Sequence, residues 1–197
     1  MKKRVVLAIF VAMFFSMTSF CMKDQQEQIA NFVYERDVED VSKIIHDDWD
    51  QLLPHENFED RENILNKELW EKNRTGELSI KVLRNKKRVM GLITFRKKTD
   101  VVGNVRIISF AEDFRGKGYE RKLIIAVVDD LFDSGCTSAY LFTHKDNEKV
   151  KIYESLGFGK TEISQDSIEW FEKAGISADN YPKYVVDKKT FDSCSKK

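Results

Sequence analysis

The sequence is poor in the residues that build cross-linked, metal-binding or unstructured proteins. Its three cysteines include no C-x-x-C pair, so no structural metal site is expected, and Cys136 and Cys194 fit either a disulfide or two free thiols. The two prolines are Pro54 and Pro182, and no repeat or low-complexity tract is visible. Basic and acidic residues number 33 each, which argues against a general nucleic-acid binder. With 42% hydrophobic residues and 14 phenylalanines, the 197-residue chain is predicted to form one domain with a substantial core.

The first 22 residues differ from the rest of the chain. Lys2-Lys3-Arg4 precedes an uncharged run from Val5 to Met22, which is the pattern of an export signal. The run has 18 residues, near the lower limit for a membrane span, so a membrane anchor fits as well. If Met22 is the true start, or if the segment is not processed, the protein is cytoplasmic. We therefore expect residues 1–22 to be a signal peptide or membrane anchor, and residues 23–197 to form the domain.

Hydrophobic periodicity predicts strands interleaved with helices. Alternating apolar residues in Leu78 to Arg84 and in Arg88 to Arg96 predict a hairpin around Asn85-Lys86-Lys87. Val105 to Phe110 reads as a further strand and Arg121 to Phe132 as a helix. The predicted apolar face of that helix consists of Leu123, Ala126, Val127 and Leu131. This order of elements predicts an α/β or α+β layer fold.

Two glycines separate the strand at Val105 to Phe110 from the helix that follows. They lie in Arg115-Gly116-Lys117-Gly118-Tyr119, which with Glu120 we call the glycine loop (residues 115–120). Glycines at such a turn let the backbone approach a ligand, and the free N–H groups at a helix start attract anions. The loop completes neither a Walker motif nor a dinucleotide fingerprint. A tight turn without a ligand is the competing interpretation.

The glycine loop resembles the acyl-coenzyme A loop of the GNAT superfamily of N-acetyltransferases, whose motif is Q/R-x-x-G-x-G/A. Arg115 and Gly118 match this motif, whereas Glu120 replaces a small residue. A second element follows in the expected order: Asn147, and then Tyr153-Glu154-Ser155-Leu156-Gly157-Phe158, which is similar to the family's Y-x-x-x-G-F signature. Two matched elements make the resemblance much stronger than one.

The resemblance implies the fold and its remaining elements. It implies a GNAT-like mixed, mostly antiparallel central sheet flanked by helices. In family terms Phe32 to Arg36 resembles the first strand, Val38 to Ile45 the helix after it, and Thr137 to Thr143 the fifth strand.

The resemblance also implies acetyl-CoA as the acyl donor. Backbone groups of the fourth strand would hold its pantetheine arm, and the amides of the glycine loop its pyrophosphate. The implied cofactor-binding residues are Ile108, Phe110, Arg115, Gly116, Lys117, Gly118, Tyr119 and Asn147. Tyr153 matches the family tyrosine that gives a proton to the departing thiolate, a task that suits a phenol. If Glu120 points inward, its carboxylate would compete with the phosphates, and if it points outward it would favour the helix dipole.

The general base and the acceptor stay open at this stage. The strand segment Asn104 to Ser109 contains no acidic residue, so either His144 or a chain of water would take the proton from the amine. The implied acceptor is a primary amine of a small molecule or peptide, contacted by the long loop at Trp49 to Glu59 and by Ser164 to Pro182. Acidic residues near Trp49 would attract a cationic amine, although an acidic surface loop explains them too. An exported domain that binds or scaffolds without catalysis is the alternative function.

Overall fold

Seven strands form one sheet in the computed structural model, which describes residues 27–48 and 65–196. The strands are β1 (Gln28–Asn31), β2 (Ser79–Arg84), β3 (Val89–Lys97), β4 (Val102–Phe110), β5 (Ser138–Phe142), β6 (Gly159–Thr161) and β7 (Lys183–Asp187). Their order across the sheet is β1-β2-β3-β4-β5-β7-β6. Every neighbouring pair is antiparallel except β4 and β5, which are parallel. The predicted mixed, mostly antiparallel sheet is confirmed.

Helices cover both faces of this sheet. They are α1 (Tyr34–Asp47), a π-helix at Leu65–Glu71 that runs into α2 (Lys72–Arg74), α3 (Tyr119–Asp133), α4 (Val150–Ser155), α5 (Gln165–Lys173) and α6 (Lys188–Ser195). Leu123, Val127 and Leu131 of α3 are buried on one face, as predicted, while Ala126 is half-buried. A second cluster joins α1 and the π-helix to the other face through Val41 and Leu69.

The predicted hairpin and fifth strand are confirmed. Residues 79–84 pair with residues 89–95, and the side-chain oxygen of Asn85 accepts the N–H groups of Lys87 and Arg88 at 2.8 and 3.0 Å. An asparagine that bonds the backbone ahead of it closes a turn locally. β5 occupies 138–142, inside the predicted range.

The prediction of a first strand at Phe32 to Arg36 is wrong, because α1 already begins at Tyr34 and β1 lies earlier, at Gln28–Asn31. The reason is Asp37, a fully buried residue in the first turn of α1. Its Oδ2 accepts the N–H of Val33 at 3.0 Å, and its Oδ1 pairs with Arg36 at 2.7 Å. A carboxylate that satisfies an open N–H at a helix start favours the helix over a strand.

Several sequence predictions concern residues outside the described ranges, namely the signal or anchor segment at 1–22 and the loop at 49–60. Within residues 27–48 and 65–196, no helix is long and apolar enough to cross a membrane. The same part of the chain contains no group of three or more metal-ligating side chains. Cys136 is buried, Cys194 is half-buried, and both are free thiols.

Candidate active site

A cleft opens where β4 and β5 separate. The two strands pair at only three positions, Val102 with Ser138, Gly103 with Ala139, and Asn104 with Tyr140. Beyond Asn104, β4 continues to Phe110 without a described partner on this side, while β5 pairs with β7 along its other edge. The two strands thus leave an unpaired backbone edge, and we call this opening the β4–β5 cleft.

The backbone of Ile108 and Phe110 faces this cleft. The N–H of Ala111 donates to the carbonyl of Met90 at 3.0 Å, and Phe110 and Ile108 lie opposite Gly91 and Ile93. Because hydrogen-bonded and non-hydrogen-bonded pairs alternate along antiparallel strands, the N–H and C=O groups of Ile108 and Phe110 point away from β3. The predicted donor-binding stretch of β4 therefore offers free backbone groups.

A β-bulge interrupts β4 at Arg106 and Ile107. The register shifts by one residue between the pairs Phe95–Val105 and Ile93–Ile108, so these two residues together face Thr94. The hydroxyl of Thr94 accepts the N–H of Ile107 at 3.1 Å. Bulges re-aim side chains near functional sites, and here both Arg106 and Ile107 line the cavity of the cleft.

The glycine loop leads from β4 into α3 with two left-handed glycines. Gly116 has φ 68° and Gly118 has φ 79°, a region that other residues enter at a cost. Gly118 is the N-cap of α3, and no side chain caps the helix there. The first-turn N–H groups of α3 thus form an anion site of the kind found at helix starts. Lys117 is exposed at the loop, and Tyr119 is half-buried against Phe114.

Glu120 points into the protein at this helix start. The residue is only 4% exposed, and its Oε1 accepts the N–H of Gly116 at 3.4 Å. A carboxylate of the chain itself therefore occupies part of the anion site. Of the two orientations considered from the sequence, the inward one is found.

Arg115 joins the end of β4 to the end of α1. Its Nε donates to the carbonyl of Phe110 at 3.0 Å, and its Nη2 forms an ion pair with Asp48 at the end of α1. Asp48 is buried and also accepts a hydrogen bond from the hydroxyl group of Ser109. The motif arginine thus anchors the end of β4 and the end of α1, and its partner Asp48 is committed to internal contacts.

Tyr153 lies in α4 and lines the same cavity as Ile108. The residue is 4% exposed, and its hydroxyl forms no hydrogen bond within the described ranges. Burial, and next the negative charge of Glu120, raise the pKa of Tyr153 far above its usual value. The phenol is therefore protonated at neutral pH, as a proton donor must be.

Asn147 organises the turn that precedes α4. Its Nδ2 donates to the hydroxyl of Thr143 at 2.8 Å, and its Oδ1 accepts the N–H of Lys149 at 3.0 Å. Asn147 lines the cavity, but both polar ends of its side chain are bonded within the chain. Its placement supports Tyr153 by fixing where α4 begins.

The cavity of the cleft has a volume of about 450 Å³. Its remaining lining residues come from α1, β5 and the segments after β5 and before β7: Asp48, Phe142, Thr143, His144, Asp146, Glu148, Lys149 and Tyr181. Nδ1 of His144 accepts the N–H of Asp146 at 3.3 Å and lies 3.7 Å from a carboxylate oxygen of the same residue.

Sequence reasoning did not identify Arg106 or Phe142 as cavity residues, whereas Tyr181 lies in the segment Ser164 to Pro182 that was expected to contact the acceptor. Phe142 ends β5 and packs edge-on against Phe171 of α5, with ring centroids 5.4 Å apart, while Tyr181 stacks on Phe171 at 5.5 Å. These contacts join segments that are distant in sequence, so no local pattern marks them. Arg106 depends on the bulge, which has no residue signature here.

The sequence matches a known protein family over the segment that builds this site. The profile of the family described as Acetyltransferase (GNAT) family matches residues 38–158, more than half of the chain. The chain belongs to the GNAT family of acetyltransferases. The resemblance based on the glycine loop and on Tyr153 to Phe158 is confirmed, and the protein is placed among the acyltransferases.

A curated relative agrees with this GNAT assignment over a short stretch. Mycothiol acetyltransferase of Corynebacterium aurimucosum is 35% identical over 73 residues, which make up 36% of this chain. The match spans 23% of the length of that relative, so this chain matches less than a quarter of it.

Solved GNAT structures share the fold over most of the chain. PaiA N-acetyltransferase from Thermoplasma acidophilum, solved in complex with coenzyme A, has a TM-score of 0.62 at 12% identity, covering 82% of this chain and 99% of its own. A GNAT family acetyltransferase from Elizabethkingia anophelis with acetyl-CoA bound has a TM-score of 0.58 at 14% identity, covering 82% and 97%. At these identities the likeness shows the fold.

Proposed function

We propose that the protein transfers the acetyl group of acetyl-CoA to a primary amine of a small molecule or peptide. The observation that carries this proposal is the presence of three features around the end of β4. Within residues 27–48 and 65–196, the outward backbone groups of Ile108 have no partner, α3 begins without a side-chain cap, and the buried Tyr153 lines the same cavity as Ile108. The charge of Glu120 raises the pKa of Tyr153, so the helix start and the tyrosine lie close together.

The chain offers the contacts that a coenzyme A donor requires. The amide groups of Lys117, Gly118 and Tyr119 suit the pyrophosphate, because they lie at a helix start, where the helix dipole is positive. The outward backbone groups of Ile108 and the N–H of Phe110 suit the amides of the pantetheine arm. Relatives of the same fold have been solved with coenzyme A or acetyl-CoA, which supports the same donor here.

Transfer requires one bond to form and one to break. The neutral amine attacks the thioester carbonyl carbon, the carbon–sulfur bond breaks, and an amide and a free thiol result. Tyr153, which is protonated at neutral pH, would give its phenolic proton to the departing sulfur and would regain a proton from solvent. The proton released by the amine passes to solvent through the open cavity.

Glu120 opposes donor binding in this proposal. Its carboxylate accepts the N–H of Gly116, an amide that would otherwise face a phosphate. Binding of the donor then requires the Glu120 side chain to leave this position or to share it. The proposal therefore predicts weaker donor binding than a small residue at position 120 would allow.

Thermal unfolding with and without acetyl-CoA tests the donor. A ligand at about 100 times its Kd adds roughly 2.7 kcal/mol of stability. For a chain of this size the midpoint should rise by about 5 to 10 °C. No rise at millimolar acetyl-CoA would contradict the proposed function, and ATP at the same concentration controls for nonspecific anion effects.

We also propose that residues 1–22 direct the protein to export or to a membrane, since their basic start and uncharged run carry that pattern. Mass spectrometry of the N-terminus after cell fractionation tests this directly. An intact N-terminus in the cytosol would contradict it, and would leave the acetyltransferase proposal untouched.

A further inference from the structure

Two arginine side chains, Arg106 in the cleft and Arg96 on the neighbouring strand, pair with no carboxylate in the described part of the chain. Arg36, Arg84, Arg88 and Arg115 each pair with an aspartate. By contrast, the side chains of Arg96 and Arg106 form no ion pair and no hydrogen bond within residues 27–48 and 65–196, and the buried Nε of Arg96 has no acceptor there. A guanidinium held in this way has unmet hydrogen-bonding capacity.

Arg106 is directed at the reaction site by the bulge in β4. It lines the same cavity as Tyr153 and Ile108. Arg96 of β3 lies opposite Asn104, two residues before Arg106, and its positive charge acts on Arg106. Arg106 as a whole residue is exposed, but its guanidinium group is partly desolvated. This desolvation, and next the charge of Arg96, lower the pKa of Arg106. Two like charges this close are unfavourable unless an anion joins them.

The nearby carboxylates are engaged elsewhere or exposed. Glu68 is paired with Lys72 at 2.5 Å, and Asp48 with Arg115. Asp146 and Glu148 line the cavity as exposed side chains. Within residues 27–48 and 65–196, the carboxylate whose charge acts on Arg106 is Glu68, which already pairs with Lys72. An anion supplied by a ligand would give Arg106 a counter-charge of its own.

We propose that the amine acceptor carries an anionic group, a carboxylate or a phosphate, which Arg106 binds while the amine lies at the thioester near Tyr153. This inference rests on the proposed acetyl transfer and names the class of its acceptor. A planar guanidinium binds either group through two parallel hydrogen bonds, which fixes orientation as well as charge. Arg96 adds a second positive charge behind Arg106 and strengthens the preference for an anion.

Matched acceptor pairs test the inference on the full-length protein with acetyl-CoA. Glycine and phenylalanine are compared with glycinamide and phenylalaninamide for the carboxylate, and phosphoethanolamine with ethanolamine for the phosphate. The amino acid amides are the better nucleophiles at neutral pH, because their amines lose a proton more readily. We nevertheless expect kcat/KM to favour at least one anionic member by about ten- to hundredfold, the scale of a charge-assisted hydrogen bond.

Variants of Arg106 separate this role from a structural one. Arg106→Gln should abolish the preference, and the loss should appear as a rise of about ten- to hundredfold in KM for the anionic acceptor. Arg106→Lys keeps the charge and should retain part of the preference. Arg74→Gln makes the same change at an exposed position outside the cavity, and should leave the preference intact.

A binding measurement covers the case of slow turnover. Thermal shifts in the presence of coenzyme A compare N-acetylphenylalanine with its amide, and N-acetylphosphoethanolamine with N-acetylethanolamine. The inference is overturned if neutral amines react as well as anionic ones, or if no anionic amine reacts and no anionic product binds. Acetylation of neutral amines alone would leave the proposed function standing, whereas absence of acetyl-CoA binding would remove that function itself.

Discussion

The proposed donor side and the proposed acceptor side of the β4–β5 cleft are built from different kinds of atoms. On the donor side, main-chain groups would bind acetyl-CoA, namely the edge of Ile108 and Phe110 and the amides around Gly116 and Gly118. On the acceptor side, side chains from β4, β5 and the segment before β7 converge, among them Arg106, Phe142 and Tyr181. Main-chain recognition needs only a backbone shape, so it tolerates change at most side chains, while side-chain recognition sets what the enzyme selects.

Replacing Tyr153 by phenylalanine should have the largest effect, because this residue serves the chemistry that both sides meet to perform. Loss of a positioned proton donor should lower kcat by about 100- to 10,000-fold, with the Kd for acetyl-CoA nearly unchanged. Single-turnover rates with the best acceptor measure this. Tyr34→Phe, at a residue 49% exposed and outside the cavity, is the control. A loss of less than threefold would exclude Tyr153 as the donor.

Breaking the ion pair between Asp48 and Arg115 should have the second-largest effect. Asp48→Asn leaves Arg115 without its counter-charge and weakens the bond with Ser109. Buried pairs cost about 3–5 kcal/mol to break, but Arg115 is 37% exposed, so a loss of about 2 kcal/mol in unfolding free energy is expected. Urea unfolding measures it, and Asp47→Asn, which affects an exposed pair with Lys43, should change stability by less than about 0.5 kcal/mol. Equal effects of the two variants would contradict the joining role of Asp48.

The same division explains how much the sequence predicted. The hairpin, β5, the face of α3 and the glycine loop carry local signals, namely alternation, helical spacing and paired glycines, and all were predicted. The start of α1 was not predicted. It depends on the buried Asp37, which accepts a hydrogen bond from the N–H of Val33 and forms an ion pair with Arg84 of β2. Arg106 and Phe142 were missed for a similar reason, since they join the cavity through tertiary packing and through a bulge that depends on Thr94.

Removing the carboxylate from the donor side should strengthen donor binding. Glu120→Gly frees the N–H of Gly116 and removes a negative charge from the phosphate site, so the Kd for acetyl-CoA should fall by roughly tenfold. The helix pays about 1 kcal/mol in stability for a glycine in its first turn. Isothermal titration measures the affinity, and Glu120→Gln, which keeps the shape without the charge, should show part of the gain. Unchanged affinity in both variants would mean that Glu120 does not compete with the donor.

The smallest expected effect is on the free energy of unfolding at alkaline pH. It tests whether Tyr153 is buried, independently of its role in turnover. The folded-state pKa of Tyr153 is raised, by burial first and by Glu120 second, above the unfolded value of about 10. The folded state therefore holds this proton more tightly, so the contribution to stability is complete below pH 10 and is lost as pH rises from there toward the folded pKa. At pH 11 the loss should be about 1.4 kcal/mol relative to pH 9. Tyr153→Phe lacks this group and should lose less stability by that amount over the same interval in urea unfolding. Parallel curves for the two proteins would show that Tyr153 titrates alike in both states, and that its hydroxyl is solvated in the folded protein rather than buried.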